Sequence, residues 1–399
     1  MKSVVTIGLG YIGLPTSALI ASKGVPVFGV DINQNVVDTI NRGEIHIVEP
    51  ELDEIVKNAV NQGLLKAGIK AIQSDVYLIV VPTPFKGNHE PDISYVEAAT
   101  EGIIPLLKEN DLYIIESTSP IGTTEKMAQL IYSNRPELEG KLNIAYCPER
   151  VLPGNVMHEL VYNDRVIGGI DNNSTQAAIN FYKQFVKGEI HPTNSRTAEM
   201  CKLTENASRD VQIAFANELS LICNTAGIDV WNLIRLANKH PRVNILQPGC
   251  GVGGHCIAVD PYFIVSQFPE ESKIIRTSRE INNFKPLWCI EKIKNEVLEF
   301  EINHNRKPII TIGGLTFKPN IDDLRESPAL FIADKVKELL PKSNIKFVEP
   351  NIRTLNNFDL ISLEDAKGIS DIIFILVAHK EFNSLKSNNQ TKIVAFVNL

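Results

Sequence analysis

The run Gly8-Leu9-Gly10-Tyr11-Ile12-Gly13 lies between two strand-like segments, and that setting leaves the chain little choice of fold. Ser3–Gly8 reads as a buried β-strand, and a helix follows from about Leu14 to Lys23. A second strand, Val27–Val30, ends in Asp31. Glycines at 8, 10 and 13 let the backbone approach a pyrophosphate at the helix N-terminus. Asp31, 18 residues after Gly13, stands where a carboxylate takes the hydroxyls of an adenosine ribose and repels a 2′-phosphate. The segment therefore predicts a dinucleotide-binding βαβ unit that favours NAD over NADP. The competing reading is a glycine-bearing turn in some other α/β protein. Two bracketing strands and the terminal acid argue against it.

Apolar strands are expected again at Val76–Val81, Leu112–Glu116 and Ile144–Tyr146, with helical stretches between them. This alternation predicts a doubly wound parallel sheet. Ligands bind such sheets beyond the carboxyl ends of the strands. Those ends carry Pro82-Thr83-Pro84, Ser117-Thr118-Ser119-Pro120 and Cys147-Pro148-Glu149-Arg150. Each threonine read alone is a loop cap; three such loops at strand ends point to a site. From Thr197 to about Gly227 the pattern is one long helix, followed by Trp231–Asn238 and helix around Ser272–Glu299. The last third repeats the opening in outline. Ile309–Ile312 is a strand, Gly313-Gly314 starts a loop, and Ser327-Pro328 reads as an N-cap and first helical residue. Lys346–Val348 ends in Glu349 as Val27–Val30 ends in Asp31, and Ile372–Val377 echoes Val76–Val81. The expected fold is α/β: two Rossmann-like doubly wound parallel-sheet domains, 1–195 and 301–399, joined by an all-helical region, 196–300. The loop Leu315–Glu326, with Lys318 and Arg325, suits a phosphorylated ligand different from that of the first domain.

A chain of 399 residues needs more than one core. Its net charge of -7 argues against nucleic acid as a partner, which requires a basic face. The longest apolar runs are strand-sized, so no membrane span is expected, and Met1-Lys2 leads into a strand without signal-peptide architecture; a cytoplasmic location follows. The six cysteines lack metal-ligand spacing, and no metal is expected.

Two constellations carry chemistry. Lys202, Asn206 and Arg209 recur at i, i+4 and i+7 along one helix face, either solvated or turned to a cleft where Lys202 handles a hydroxyl proton and an oxyanion. Cys256 ends the run Gly249-Cys250-Gly251-Val252-Gly253-Gly254-His255-Cys256, with Asp260 four residues on. The glycines allow close backbone approach and positive φ. A thiol adds to an aldehyde and leaves as a thioester, so Cys256 beside a nicotinamide predicts oxidation past the carbonyl to a carboxylate. Lys202 is the candidate for lowering its pKa; His255, adjacent in sequence, is not taken as its base. Asp260 orients or deprotonates water, or merely caps the next turn. His240-Pro241-Arg242 supplies basic groups suited to a pyrophosphate or a product carboxylate.

On these residues the chain resembles the UDP-glucose/GDP-mannose dehydrogenase family over essentially its whole length. The matching segments include IGLGYIGLPT, VPTPFKG, ESTSPIGTTEKM, NIAYCPERVLPG, NSRTAEMCKLTENASRDVQIAFANELSLIC, GVGGHCIAVDP and FKPNIDDLRESPA. NRGEIHIVEP and HPRVNILQPG resemble its mannosamine-oxidising branch. The resemblance implies that UDP-N-acetyl-D-mannosamine, two NAD⁺ and water give the uronate and two NADH, a precursor for cell-surface polysaccharide. It implies Cys256 as nucleophile, Lys202 as acid/base or oxyanion partner, and Asn206, Asp260 and Glu149 as helpers. NAD contacts fall on Tyr11, Ile12, Asp31, Thr83, Thr118 and Arg325. Sugar-nucleotide contacts fall on Arg150, Val151, Lys202, Asn206, Arg209, His240, Arg242, Gly253, Phe317 and Lys318. His240 and Arg242 are implied to come from a second subunit, because family members dimerise through the central helices. Cys250 stands where a non-thiol is usual in that branch, and the familiar polar tail after the last strand is missing.

Three rivals remain at this stage. A β-hydroxyacid-type dehydrogenase would pair Lys202 with Asn206 and stop after one NADH. A non-catalytic NAD(H)-responsive redox sensor would use Cys250 and Cys256. Within the family, UDP-GlcNAc or UDP-glucose would replace the mannosamine epimer.

Overall fold

A computed structural model describes residues 3–87, 89–151, 154–254, 256–341, 343–388 and 390–399. Leu152, Pro153 and His255, all named above, lie outside the described residues, as do Met1 and Lys2. The chain divides into two compact units, Met1–Glu205 with Tyr262–Gln267, and Asn206–Pro261 with Phe268–Leu399.

The first unit is built on an eight-stranded sheet. From one edge its order is Ile190–Asn194, Arg165–Gly169, Asn143–Tyr146, Leu112–Ile115, Val76–Ile79, Val4–Ile7, Val27–Val30 and Leu65–Gly68. The central strands are mostly apolar and buried because helices cover both faces, with Thr6 a buried polar exception. Val4, Leu78 and Ile114 pack into one core, and Val5, Tyr77 and Tyr113 into another on the opposite face. Val4–Ile7 has Val27–Val30 on one side and Val76–Ile79 on the other, both parallel, so strand order reverses at the strand that leads into the glycine loop. One junction departs from the parallel pattern. After Tyr146 the chain turns back through the short helix Val156–Tyr162, and Arg165–Gly169 pairs antiparallel with Asn143–Tyr146. Hydrophobic pattern carries no signal for strand direction, so this reversal was not expected from sequence.

In the second unit a four-stranded parallel sheet has the order Asn344–Val348, Ile309–Gly313, Ile372–Ile375, Lys392–Ala395, again with the first strand of the set inside. Ser327 caps the helix Pro328–Leu339: its Oγ accepts from Leu330 N (3.2 Å) and donates to Leu315 O (2.7 Å). Two 32-residue helices, Ser195–Ala226 and Lys273–His304, carry the middle of the chain. Lys202, Asn206 and Arg209 therefore lie on one uninterrupted helix. Among the described residues no helix is long and apolar enough to cross a membrane.

The glycine loop of the first unit separates packing from access. A Cβ on Gly13 would lie 1.8 Å from Gly8 O, and one on Gly8, at φ +94°, would lie 2.2 Å from Val80 O; at Gly10 nothing is within 4 Å. Gly13→Ala is expected to lower the melting temperature by about 5 °C or more, since the backbone itself must move. Gly10→Ala is expected to leave it within about 1 °C. Scanning calorimetry of both variants checks the contrast.

Candidate active site

Asp31 closes the loop after the first strand: its Oδ2 accepts from Leu9 N (3.1 Å) and its Oδ1 from Asn33 N (2.9 Å). The carboxylate stays partly exposed beside the open Gly10, an arrangement that accepts a dinucleotide. Tyr11 and Gly10 are exposed, and Ile12, Thr83 and Thr118 half-buried. Ser117 Oγ donates to Val81 O (2.7 Å), tying together the two loops that bear Thr83 and Thr118. His46 was not singled out from sequence. It lies near Leu9 and Asp31, and burial holds its imidazole below the usual histidine range.

Beyond the neighbouring strand ends lies a buried charge network that the sequence reading saw only at Glu149. Glu149 Oε1 accepts from Arg150 N (2.6 Å) and Oε2 from Arg165 (2.7 Å). That ion pair is almost wholly buried. Tyr182 donates to Glu116 Oε1 at 2.5 Å, while Glu116 Oε2 has no partner among the described residues. Burial, and then the charge of Glu149, push the Glu116 carboxyl up to about 7. The Glu116 carboxyl therefore keeps its proton to higher pH than an ordinary glutamate. Arg165, Glu116 and Tyr182 sit at the ends of separate elements, far apart in sequence, and no local pattern marks them. Arg150 pairs with Glu205 at 2.7 Å, and Lys202 is half-buried on the same helix as Glu205.

Burial decides among the thiols. Cys147, Cys223, Cys250 and Cys289 are buried, Cys201 is half-buried and Cys256 is exposed. Burial pushes the Cys147 thiol up to about 12 and raises Cys250 as well; burial and then Glu205 raise Cys201. The Cys256 carbonyl accepts from Val259 N (3.0 Å) and Asp260 N (2.8 Å), so the cysteine opens the turn into the helix Asp260–Gln267. Asn206 Nδ2 donates to the buried Asp260 Oδ2 at 2.5 Å, joining two expected helpers within the second unit.

Three of the glycines before Cys256 also meet a packing requirement. A Cβ on Gly251 would lie 3.0 Å from Pro286 Cγ, one on Gly253 2.4 Å from Glu326 O, and one on Gly254 3.0 Å from the Phe317 ring. The protein itself fills that space. Gly254 N also donates to Arg325 O (3.3 Å), and the Arg325 guanidinium pairs with Asp323 at 2.6 Å. Phe317 is half-buried against this loop, and Lys318, Arg209, His240 and Arg242 are exposed. Glu149, Arg150, Val151 and Lys202 belong to the first unit, and Cys256, Asn206, Arg209 and Asp260 to the second.

Comparison with known proteins covers the whole length. Residues 2–186, 196–284 and 311–397 match the NAD binding, central and UDP binding domains of the UDP-glucose/GDP-mannose dehydrogenase family. The chain is 54% identical over 403 residues to UDP-N-acetyl-D-mannosamine dehydrogenase of Escherichia coli (strain K12), covering 97% of this chain and 96% of that protein. Among solved structures it resembles UDP-D-ManNAc dehydrogenase from Pyrococcus horikoshii, with TM-score 0.86, 40% identity, and coverage of 99% of this chain and 95% of that one. The UDP-N-acetyl-mannosamine dehydrogenase of Staphylococcus aureus matches with TM-score 0.85 and 39% identity, covering 99% and 98%.

The raised Glu116 has a consequence for stability. The unfolded chain releases this proton near the ordinary glutamate value, so the stabilisation is full below that value and is lost as pH climbs through about 7. Glu116→Gln is expected to remove the decline, a difference on the order of 1–3 kcal/mol at about pH 8. Thermal melts of both proteins from about pH 5 to about pH 8 read it directly.

Proposed function

The chain belongs to the UDP-glucose/GDP-mannose dehydrogenase family and is an NAD-dependent UDP-sugar dehydrogenase, and from that premise we propose that it oxidises UDP-N-acetyl-D-mannosamine at C6 to the uronate. The exposure of Cys256, alone of six cysteines, carries the four-electron reading, and full-length identity to mannosamine dehydrogenases supports the epimer.

NAD⁺, when bound, accepts one hydride in each of two oxidations; Gly8, Gly10, Tyr11, Ile12, Gly13, Asp31, Thr83 and Thr118 would hold it, with Arg325. Lys202 takes the C6 hydroxyl proton in the first oxidation. The Cys256 thiolate then adds to the aldehyde carbon, and the Lys202 ammonium stabilises the oxyanion. The resulting thiohemiacetal loses its second hydride and its hydroxyl proton and becomes a thioester. Water, oriented by Asp260 with Asn206 and Glu149, adds to the carbonyl. The C–S bond breaks, the thiolate leaves, and the carboxylate is released. Arg150, Val151, Arg209, Gly253, Phe317 and Lys318 would grip the sugar nucleotide.

We read the architecture as three domains, 1–195, 196–300 and 301–399, the last for the UDP-sugar. The middle one joins two copies, with His240 and Arg242 lent to the partner's site. Phe215 and Ile222, seven residues apart on one helix, and Phe284 and Leu287 on another, are large, apolar and exposed, as a second copy would require. A catalytic thiol and the supply of nucleotide sugars both suit the cytoplasm.

The unaltered enzyme is expected to form two NADH per UDP-N-acetyl-D-mannosamine consumed. Cys256→Ser should form no uronate above about one part in a thousand. A ratio of one, or undiminished acid from the variant, ends the proposal. A panel of UDP-N-acetylglucosamine and UDP-glucose, read by NADH, tests the epimer. Phe215→Glu with Ile222→Glu is expected to give monomers in sedimentation velocity and to lower activity by about tenfold or more, through loss of the partner's His240 and Arg242.

A further inference from the structure

His379 is wholly buried at the carboxyl end of the second unit's sheet, outside every motif that pointed to function. Its Nδ1 accepts from the backbone N–H of Asn320 at 2.9 Å, and the Asn351 side-chain amide lies 3.0 Å from the same nitrogen. A nitrogen that accepts from a backbone N–H carries no proton, so the proton is on Nε2. Nε2 faces Glu349 Oε2 at 3.2 Å and Thr316 Oγ1 at 3.3 Å. The same carboxylate accepts from Leu315 N (2.7 Å), Thr316 N (3.3 Å) and Asn351 N (3.0 Å). Burial opposes ionisation of Glu349, but the His379 and backbone donors outweigh it and hold the carboxyl below the usual glutamate range.

These bonds converge on one stretch of backbone, Leu315 to Asn320. Asn320 is exposed and left-handed, at φ 61°, and its Oδ1 accepts from Lys380 N at 3.0 Å. Thr316 Oγ1 donates to Lys318 O (2.9 Å). Between the two anchored ends lie Phe317 and Lys318. The Phe317 ring packs where a Cβ on Gly254 would stand, two residues before Cys256.

We propose that His379 is a positioning residue: with its proton on Nε2 and the lone pair of Nδ1 holding Asn320, it sets the loop that presents Phe317 and Lys318 to the nucleotide sugar and backs the glycines before Cys256. The inference rests on the reading of Phe317 and Lys318 as nucleotide-sugar contacts. Its chemistry distinguishes two substitutions of similar bulk. Asparagine keeps an acceptor where Nδ1 stands and loses the Nε2 donor. Glutamine keeps a donor near Nε2 and loses the acceptor.

The test measures the unaltered enzyme, His379→Asn and His379→Gln for KM of UDP-N-acetyl-D-mannosamine, KM of NAD⁺, and UDP affinity by calorimetry. His379→Gln is expected to weaken UDP and raise the sugar-nucleotide KM by about tenfold. His379→Asn should stay within about threefold of the unaltered enzyme, and KM for NAD⁺ should hold in both. Equal effects of the two substitutions, an equal rise in KM for NAD⁺, or no effect overturns the proposal. Because UDP affinity is read for all three proteins, an unaltered enzyme inactive on this sugar counts against the substrate and still leaves His379 tested. Should a variant not fold, hydrogen exchange of the unaltered enzyme decides. The Asn320 amide is expected to exchange slowly despite the exposure of its residue, and exchange at the rate of a free loop overturns the proposal.

Discussion

A carboxylate at the end of the second strand takes the backbone N–H groups of the loop that leaves the first strand, and the rest of the molecule is arranged around two such clasps. Asp31 holds Leu9 in the first unit, and Glu349 holds Leu315 and Thr316 in the second. A parallel sheet ends in unpaired amides at its carboxyl edge, and a fixed acid satisfies them without covering the crevice where a ligand binds. The two clasps then diverge. Asp31 keeps exposed surface and can still receive a ribose. Glu349 is consumed by the amides and by His379, so the second unit holds its ligand with the loop that the clasp fixes.

The choice of nucleophile follows from burial. Four thiols are enclosed and a fifth is half-enclosed beside Glu205, which disfavours the thiolate in each case where a shift is resolved. Cys256 escapes: Gly251, Gly253 and Gly254 pack against Pro286, Phe317 and Pro328, and the thiol two residues on is exposed. A side chain at Gly251, Gly253 or Gly254 would meet these neighbours, so the three glycines help fix the position of the thiol.

Much of this was legible in the sequence wherever one local signal was enough. The strand Val27–Val30, the capping Ser327 with Pro328 after it, and the long helix bearing Lys202 appear where composition and period place them. Leu65–Gly68 and Ile190–Asn194 were not visible, because they are edge strands that bury only part of their surface and so lack an apolar run. The Asn206–Asp260 bond and the Glu116–Tyr182 bond join residues 54 and 66 positions apart, and nothing in either neighbourhood announces the other. His379 was not singled out from sequence, because only three-dimensional contact brings Asn320, Asn351 and Glu349 to its ring.

Charge counting in the buried network sharpens the part Glu149 can play. Its two oxygens already receive the Arg165 guanidinium and the Arg150 amide. A carboxyl gripped on both oxygens is held in position and ties Arg165 to the backbone at Arg150. Glu116 is the carboxyl that burial pushes up, and among the described residues Tyr182 donates to one of its oxygens while the other has no partner. Removing Arg165 would leave the buried Glu149 carboxyl without the guanidinium that now pairs with it. The guanidinium thus holds Glu149 in place, although sequence alone marks Glu149 and passes over Arg165.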